Sequence, residues 1–213
     1  MVEQGQIEEG LAQMHQGLAA RRTPGAELAQ PYFLALQAEV YGKMGQREQA
    51  LTLLSDALAA VHTTGERRLE ADLYRLKGEL LLNAERGTLN AELKTSSVHR
   101  SSFRIHRSAE AEAEACFQQA IDIARRQSAK SLELRAVMSL SRLWQQQGRK
   151  AEARQMLAEI YGWFTEGFDT ADLREAKALL EELGRDTTGT HGKKGKSGRK
   201  PAARTTKHSP LTG

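Results

Sequence analysis

The stretch "AEVYGKMGQREQALTLLSDAL", residues 38 to 58, decides the fold. Small residues stand at Ala38, Gly45, Ala50 and Ala57, and Tyr41 and Leu54 are the large apolar residues among them. Ala38 and Tyr41 are one helical turn apart. Ala50, Leu54 and Ala57 also share one face of a helix with about 3.6 residues per turn. Gly45 falls between the two sets, where a turn belongs. The stretch therefore reads as a helical hairpin. A small residue lets the first helix approach its partner closely, and a large apolar residue one turn later wedges into the space so created.

The pattern repeats with a period of forty residues. Moving back one period, Gly45 falls on Gly5, Ala50 on Gly10, Leu54 on Met14, Ala57 on Gly17 and Leu58 on Leu18. The connecting segments agree, with Thr23 over Thr63 and Gly25 over Gly65. Moving forward, Ala38 falls on Gly78 and Tyr41 on Leu81. There the register breaks, and it resumes about twenty-three residues late with Ala113, Phe117 and Ala120. Forty residues further come Ala153, Leu157 and Ile160, with Ser141, Trp144 and Gly148 ahead of them. One hairpin cannot bury its apolar face alone, so the copies are expected to stack.

Composition points the same way. Alanine, leucine, glutamine, glutamate and arginine dominate, and aromatic residues make up only 5% of the chain, which favours helix over strand. The formal charge of +4 is unevenly spread. Residues 184–213 carry eight Lys or Arg and one acid, and residues 83–108 carry five and two, so the remaining helical body is mildly acidic. Cys116 is the single cysteine, which rules out an intrachain disulfide. No apolar run is long enough to span a membrane, and the opening "MVEQGQIEEG" lacks the features of a signal peptide. A soluble cytoplasmic protein without membrane association is expected.

The repeated small-and-large pattern resembles the tetratricopeptide repeat over residues 5 to 165, with a period longer than that family's usual 34 or so residues. "PYFLALQAEVYGKMGQREQALTLLSDAL" (31–58), "AEACFQQAIDIARRQSAKSLELRA" (113–136), "LWQQQGRKAEAR" (143–154) and the closing "IYGWFTEGFDTADLREAKALLEEL" (160–183) look like the C-terminal repeats of large bacterial signalling proteins. Those proteins join a class III adenylate or guanylate cyclase domain to a nucleotide-binding ATPase domain. The resemblance implies an all-α solenoid of antiparallel helix hairpins over 1–183, without enzymatic activity or cofactor in this chain. It implies a protein or peptide partner held in a concave groove, or packing against an upstream ATPase or cyclase domain. In this family the first helix of each hairpin lines the groove. By the register above, its groove positions are Tyr32, Glu39 and Lys43, then Asp72, Arg75 and Glu79, then Arg135, Arg142 and Gln146. Repeats that clamp a C-terminal carboxylate carry matched lysines and asparagines on successive first helices. This chain lacks that set.

The first register supplies only a second helix, Gln6 to about Arg22, which reads as a truncated gene product or the last piece of a longer chain. Ala171 to Leu183 reads as a closing helix capped by Asp169 or Thr170. Residues 84–108, rich in serine, histidine and arginine, have lost hydrophobic periodicity and are expected to form a flexible insertion. Residues 184–213 are Gly, Thr, Lys and Arg with almost no apolar residue, and a disordered basic tail is expected. Such a tail can give weak, sequence-blind attraction to nucleic acid, which makes a nucleic-acid-associated protein the alternative function.

The remaining motifs carry no chemistry. Gly195-Lys196-Ser197 imitates a phosphate loop, but the glycine required five positions earlier is Thr190. His99 and His106 have no cysteine or spaced carboxylate to complete a metal site. His15 and His62 read as exposed, and Cys116, beside Phe117, as a small buried hydrophobe. Paired glutamates such as Glu8-Glu9 and Glu181-Glu182 read as solvated helix faces.

Overall fold

A computed structural model describes residues 29–95 and 100–185, with a few positions between 9 and 17. The described residues are all-helical, without a strand. Seven helices follow one another: α1 (Gln30–Lys43), α2 (Arg47–Thr64), α3 (Glu70–Thr95), α4 (Arg100–Arg126), α5 (Lys130–Gln146), α6 (Lys150–Tyr161) and α7 (Ala171–Arg185). The leading helix expected over Gln6 to Arg22 and the tail beyond Arg185 lie outside this description. None of the described helices is long and apolar enough to cross a membrane.

The helices pair as α1 with α2, α3 with α4 and α5 with α6, and α7 packs on α6 and α5. Three positions explain the close approach within each pair. Ala38 on α1 is fully buried with Ala50, Leu54 and Ala57 of α2. A Cβ added at Gly78 on α3 would stand 2.5 Å from the Phe117 ring of α4, so only glycine admits that ring. Ser141 on α5 is buried, and its hydroxyl donates to the Ala153 carbonyl of α6 at 3.3 Å. Ala38, Gly78 and Ser141 occupy the same register position, one turn before Tyr41, Leu81 and Trp144.

The sharp turns share one geometry. At Gly45 and Gly148 the backbone is left-handed, with φ of 76° and 81°. The amide after each glycine donates back to the helix it leaves, Gln46 to Tyr41 O and Arg149 to Trp144 O. This bond satisfies a carbonyl that the helix end would otherwise leave open. The α4–α5 turn repeats it with Ala129 donating to Ala124 O, but there the left-handed residue is Ser128.

Each first helix also touches the first helix of the next pair: α1 meets α3, α3 meets α5 and α5 meets α7. The return helices α2, α4 and α6 make no comparable contact with one another among the described residues. One apolar cluster, with Phe117, Leu140, Leu157 and Leu183 at its centre, runs from α3 to α7. A smaller one joins α1, α2 and α3 around Leu54, Val61 and Leu73.

The backbone is helical over 84–95 and again from Arg100, within the span read as an insertion. Ala84, Glu85, Leu89, Glu92 and Lys94 are good helix formers, and each helix continues from a turn already fixed by packing, which removes the cost of nucleation. Thr170 does start α7, through its carbonyl, which accepts from Arg174 N. Its hydroxyl turns away from the helix to donate to Gly167 O at 2.7 Å.

Candidate interaction face on the first helices

Positions that do not pack against a return helix form a face on α1, α3, α5 and α7, with polar contacts between α3 and α5 and between α5 and α7. On α3, Arg75 bridges Asp72 and Glu79, each at 2.7 Å. Its side chain is only 16% exposed. Burial lowers the pKa of the Arg75 guanidinium, but the charges and hydrogen bonds of Asp72 and Glu79 outweigh it, and the pKa lies above its ordinary value. The Ser139 hydroxyl of α5 donates to the same Glu79 at 2.8 Å. Between α5 and α7, Arg135 pairs with Asp172 at 2.7 Å, Arg142 with Glu175, and Gln145 donates to Glu182 at 2.8 Å.

Two clefts open on this face, one on each side of α3. The first, of about 190 Å³, lies between α1 and α3 over Gly42, Leu76 and Leu80. Its walls are Glu39, Lys43, Arg75, Glu79 and Asn83. The second, of about 170 Å³, lies between α3 and α5 over Leu82, Phe117 and Leu143, with Glu79, Asn83, Ser139, Arg142 and Gln146 around it. Glu79 and Asn83 belong to both. Each cleft thus has an apolar floor, one basic side chain on its outer wall and the Glu79 carboxylate on its inner wall. That combination suits a peptide segment with apolar side chains and a polar backbone.

Six of the nine residues expected at the groove line these clefts: Glu39, Lys43, Arg75, Glu79, Arg142 and Gln146. Asp72 is adjacent, paired with Arg75. Arg135 lies outside both clefts, paired with Asp172. Tyr32 also lies outside; it is 48% exposed and meets Phe33 edge-on, with ring centroids 5.4 Å apart. Lys43 is the most accessible cation of the group, 73% exposed and paired with Glu39 at 2.8 Å. Sequence reasoning missed Asn83. It stands one turn after Glu79 on the same row, a signal hidden because the helix was expected to end there.

A larger depression, about 540 Å³, is lined by Arg125, Lys130, Glu133, Trp144, Glu152, Gln155, Met156 and Glu159 of α4, α5 and α6. Much of its polar lining is committed to packing. Glu133, its side chain 4% exposed, receives Arg125 and Lys130, each at 2.7 Å. The Trp144 indole donates to Glu114 at 2.8 Å, and the Arg149 guanidinium lies 4.1 Å from the centre of the Trp144 ring while pairing with Glu114 and Glu152. Burial pushes the Glu133 carboxyl up, yet the hydrogen bonds and charges of Arg125 and Lys130 hold it below the ordinary carboxylate value. Cys116 is half-buried against the main core, where burial raises its thiol pKa.

His62 is exposed, whereas His15, His99 and His106 have no described side chain. Among the described residues no group of three or more His, Cys, Asp or Glu side chains is placed to hold a metal ion. No family model matches the chain, and no curated protein matches it significantly.

Proposed function

We propose that the chain is a non-catalytic interaction scaffold: an α-solenoid of tetratricopeptide type whose first helices line a concave face that captures a peptide segment of another protein. The stacking of first helix on first helix, with the return helices apart, supports the solenoid reading, because unequal spacing of the two layers curves a stack toward the closer one. The observation that carries the function is the pair of clefts astride α3, sharing Glu79 and Asn83. The resemblance to the repeat regions of bacterial cyclase–ATPase proteins assigns the scaffold to signalling, where the captured segment belongs to a separate protein or to an ATPase or cyclase domain joined to the repeats.

Asn83 is the residue for the test. It is exposed and lines both clefts, so Asn83→Arg places a long charged side chain at their shared edge. Peptides selected from a random library on the full chain should lose at least about tenfold in affinity with this variant, the loss of one well-placed contact. Selected peptides that bind Asn83→Arg as tightly as the parent chain would dismiss the clefts as the binding site.

A further inference from the structure

We propose that one end of the stack is a self-docking edge: a second copy of this chain packs on it in the reverse direction, with Trp163 and Phe168 of one copy against Arg67 and Arg68 of the other. The α2–α3, α4–α5 and α6–α7 connections share this end, because each joins the end of a return helix to the start of the next first helix. Two contacts place them side by side. The Gln127 side-chain amide of the α4–α5 turn donates to Arg67 O of the α2–α3 turn at 2.7 Å. The Lys130 ammonium, at the start of α5, lies 5.7 Å from the centre of the Trp163 ring in the α6–α7 loop.

The edge changes character along its length. At the α2–α3 turn Arg67 and Arg68 are exposed, while Glu66 pairs with Arg68 at 3.6 Å and Glu70 is buried, so the accessible charge is mainly positive. At the α6–α7 loop, residues 162–170 hold Glu166 and Asp169, both exposed, and no Lys or Arg. The same loop carries Trp163 and Phe168, two of the three exposed large hydrophobic side chains among the described residues. Both rings are braced from behind. Trp163 meets Phe164 edge-on with centroids 5.2 Å apart, and Phe168 lies 5.8 Å from Tyr161. Exposed aromatic side chains already held in place give binding area at low entropic cost.

A surface that is positive at one end and negative at the other complements its own copy turned end for end. A twofold axis in the contact plane, at the α4–α5 turn, sets the α6–α7 loop of each copy on the α2–α3 turn of the other. Arg67 and Arg68 then face Glu166 and Asp169 twice over, and guanidinium groups meet aromatic rings, a favourable pairing. The residues at the axis, Gln127, Ser128 and Ala129, are uncharged. A nucleic-acid backbone or an anionic membrane is negative throughout, so Glu166 and Asp169 would repel it from the aromatic loop. None of the residues lining the two clefts belongs to these connections, so the edge stands independently of peptide capture.

Sedimentation velocity of the full chain over about a hundredfold range of concentration tests the proposal, because dimerisation follows mass action. The parent should show a reversible monomer–dimer equilibrium. Arg67→Glu/Arg68→Glu and Glu166→Arg/Asp169→Arg should each raise the dimer dissociation constant at least about tenfold by bringing like charges together, with the parent's far-ultraviolet dichroism retained. An equimolar mixture of the two variants should recover the parent's dimer, since each reversed charge then meets its opposite. A parent that stays monomeric would overturn the proposal. So would variants that dimerise like the parent, which would place self-association elsewhere in the chain, or a mixture no more associated than its separate components.

Discussion

At the scale of single residues, two glycines in similar surroundings should respond differently to a methyl group. A Cβ at Gly78 would meet three atoms of the fully buried Phe117 ring at 2.5 to 2.9 Å. A Cβ at Gly42 would meet only the Leu80 Cδ2 at that range, the end of a side chain that can rotate toward the open first cleft. Alanine gains about 1 kcal/mol over glycine as a helix former, while overpacking a tight core costs about 1 to 3 kcal/mol. Gly78→Ala is therefore expected to lower the urea midpoint, and Gly42→Ala to leave it unchanged or raise it. Equal destabilisation by both would show that the α3–α4 approach is no tighter than that of α1 and α3. The role of Gly78 was legible in the sequence because it repeats Ala38 at the forty-residue period. Its partner was not, because Phe117 lies across an interruption of the register.

At the scale of elements, the α4–α5 turn is pinned by the cluster of Arg125, Lys130 and Glu133. The folded-state pKa of Glu133 is depressed, so its contribution to stability is complete above the ordinary carboxylate pKa of about 4.3 and is lost as pH falls through the lowered folded value. Glu133→Gln should be less stable than the parent at neutral pH, and the difference should shrink below about pH 4 as the parent's carboxyl protonates. Chemical denaturation at both pH values measures it; a pH-independent difference would mean that glutamine's shape, not lost charge, is responsible. The Glu152–Arg149 pair also holds its carboxyl low, but it is solvent-exposed and screened, and contributes little to this window.

The hairpins themselves were legible in the sequence. Periodicity, turn glycines and helix-forming composition all act within a few residues of the chain. The helical backbone over 84–95 and 100–108 was not, because those residues lack an apolar stripe of their own. They follow from helices already anchored at Gly78, Leu81 and Phe117.

Across the whole molecule, the two apolar clusters differ in extent. The one spanning α3 to α7 includes Phe117, Leu134, Leu140, Leu157, Leu173 and Leu183, while the buried residues of the cluster joining α1 and α2 to α3 are Leu54, Val61, Leu73, Leu80, Ala38, Ala50 and Ala57. Stability in a stack of hairpins is the sum of local terms and nearest-neighbour interfaces, so regions with less burial open at lower free energy. Amides of α1 and α2 should exchange with deuterium faster, under native conditions, than those of α4 to α6. Uniform protection from α1 to α6 would indicate one cooperative unit.

The sequence by itself determined the helical class, the places where most helices begin and end, and the row on each first helix from which the clefts are lined. Those features depend on neighbours one to seven residues apart, and a helix of fixed pitch turns such spacings into faces. Only the tertiary structure decided what each row meets. Arg135 and Arg142 were expected at a groove, but rotation of α7 against α5 brings Asp172 and Glu175 within reach, so both also tie helices together. Asn83 joined the site because a helix that packs along its length carries its register past the point where the hydrophobic pattern stops.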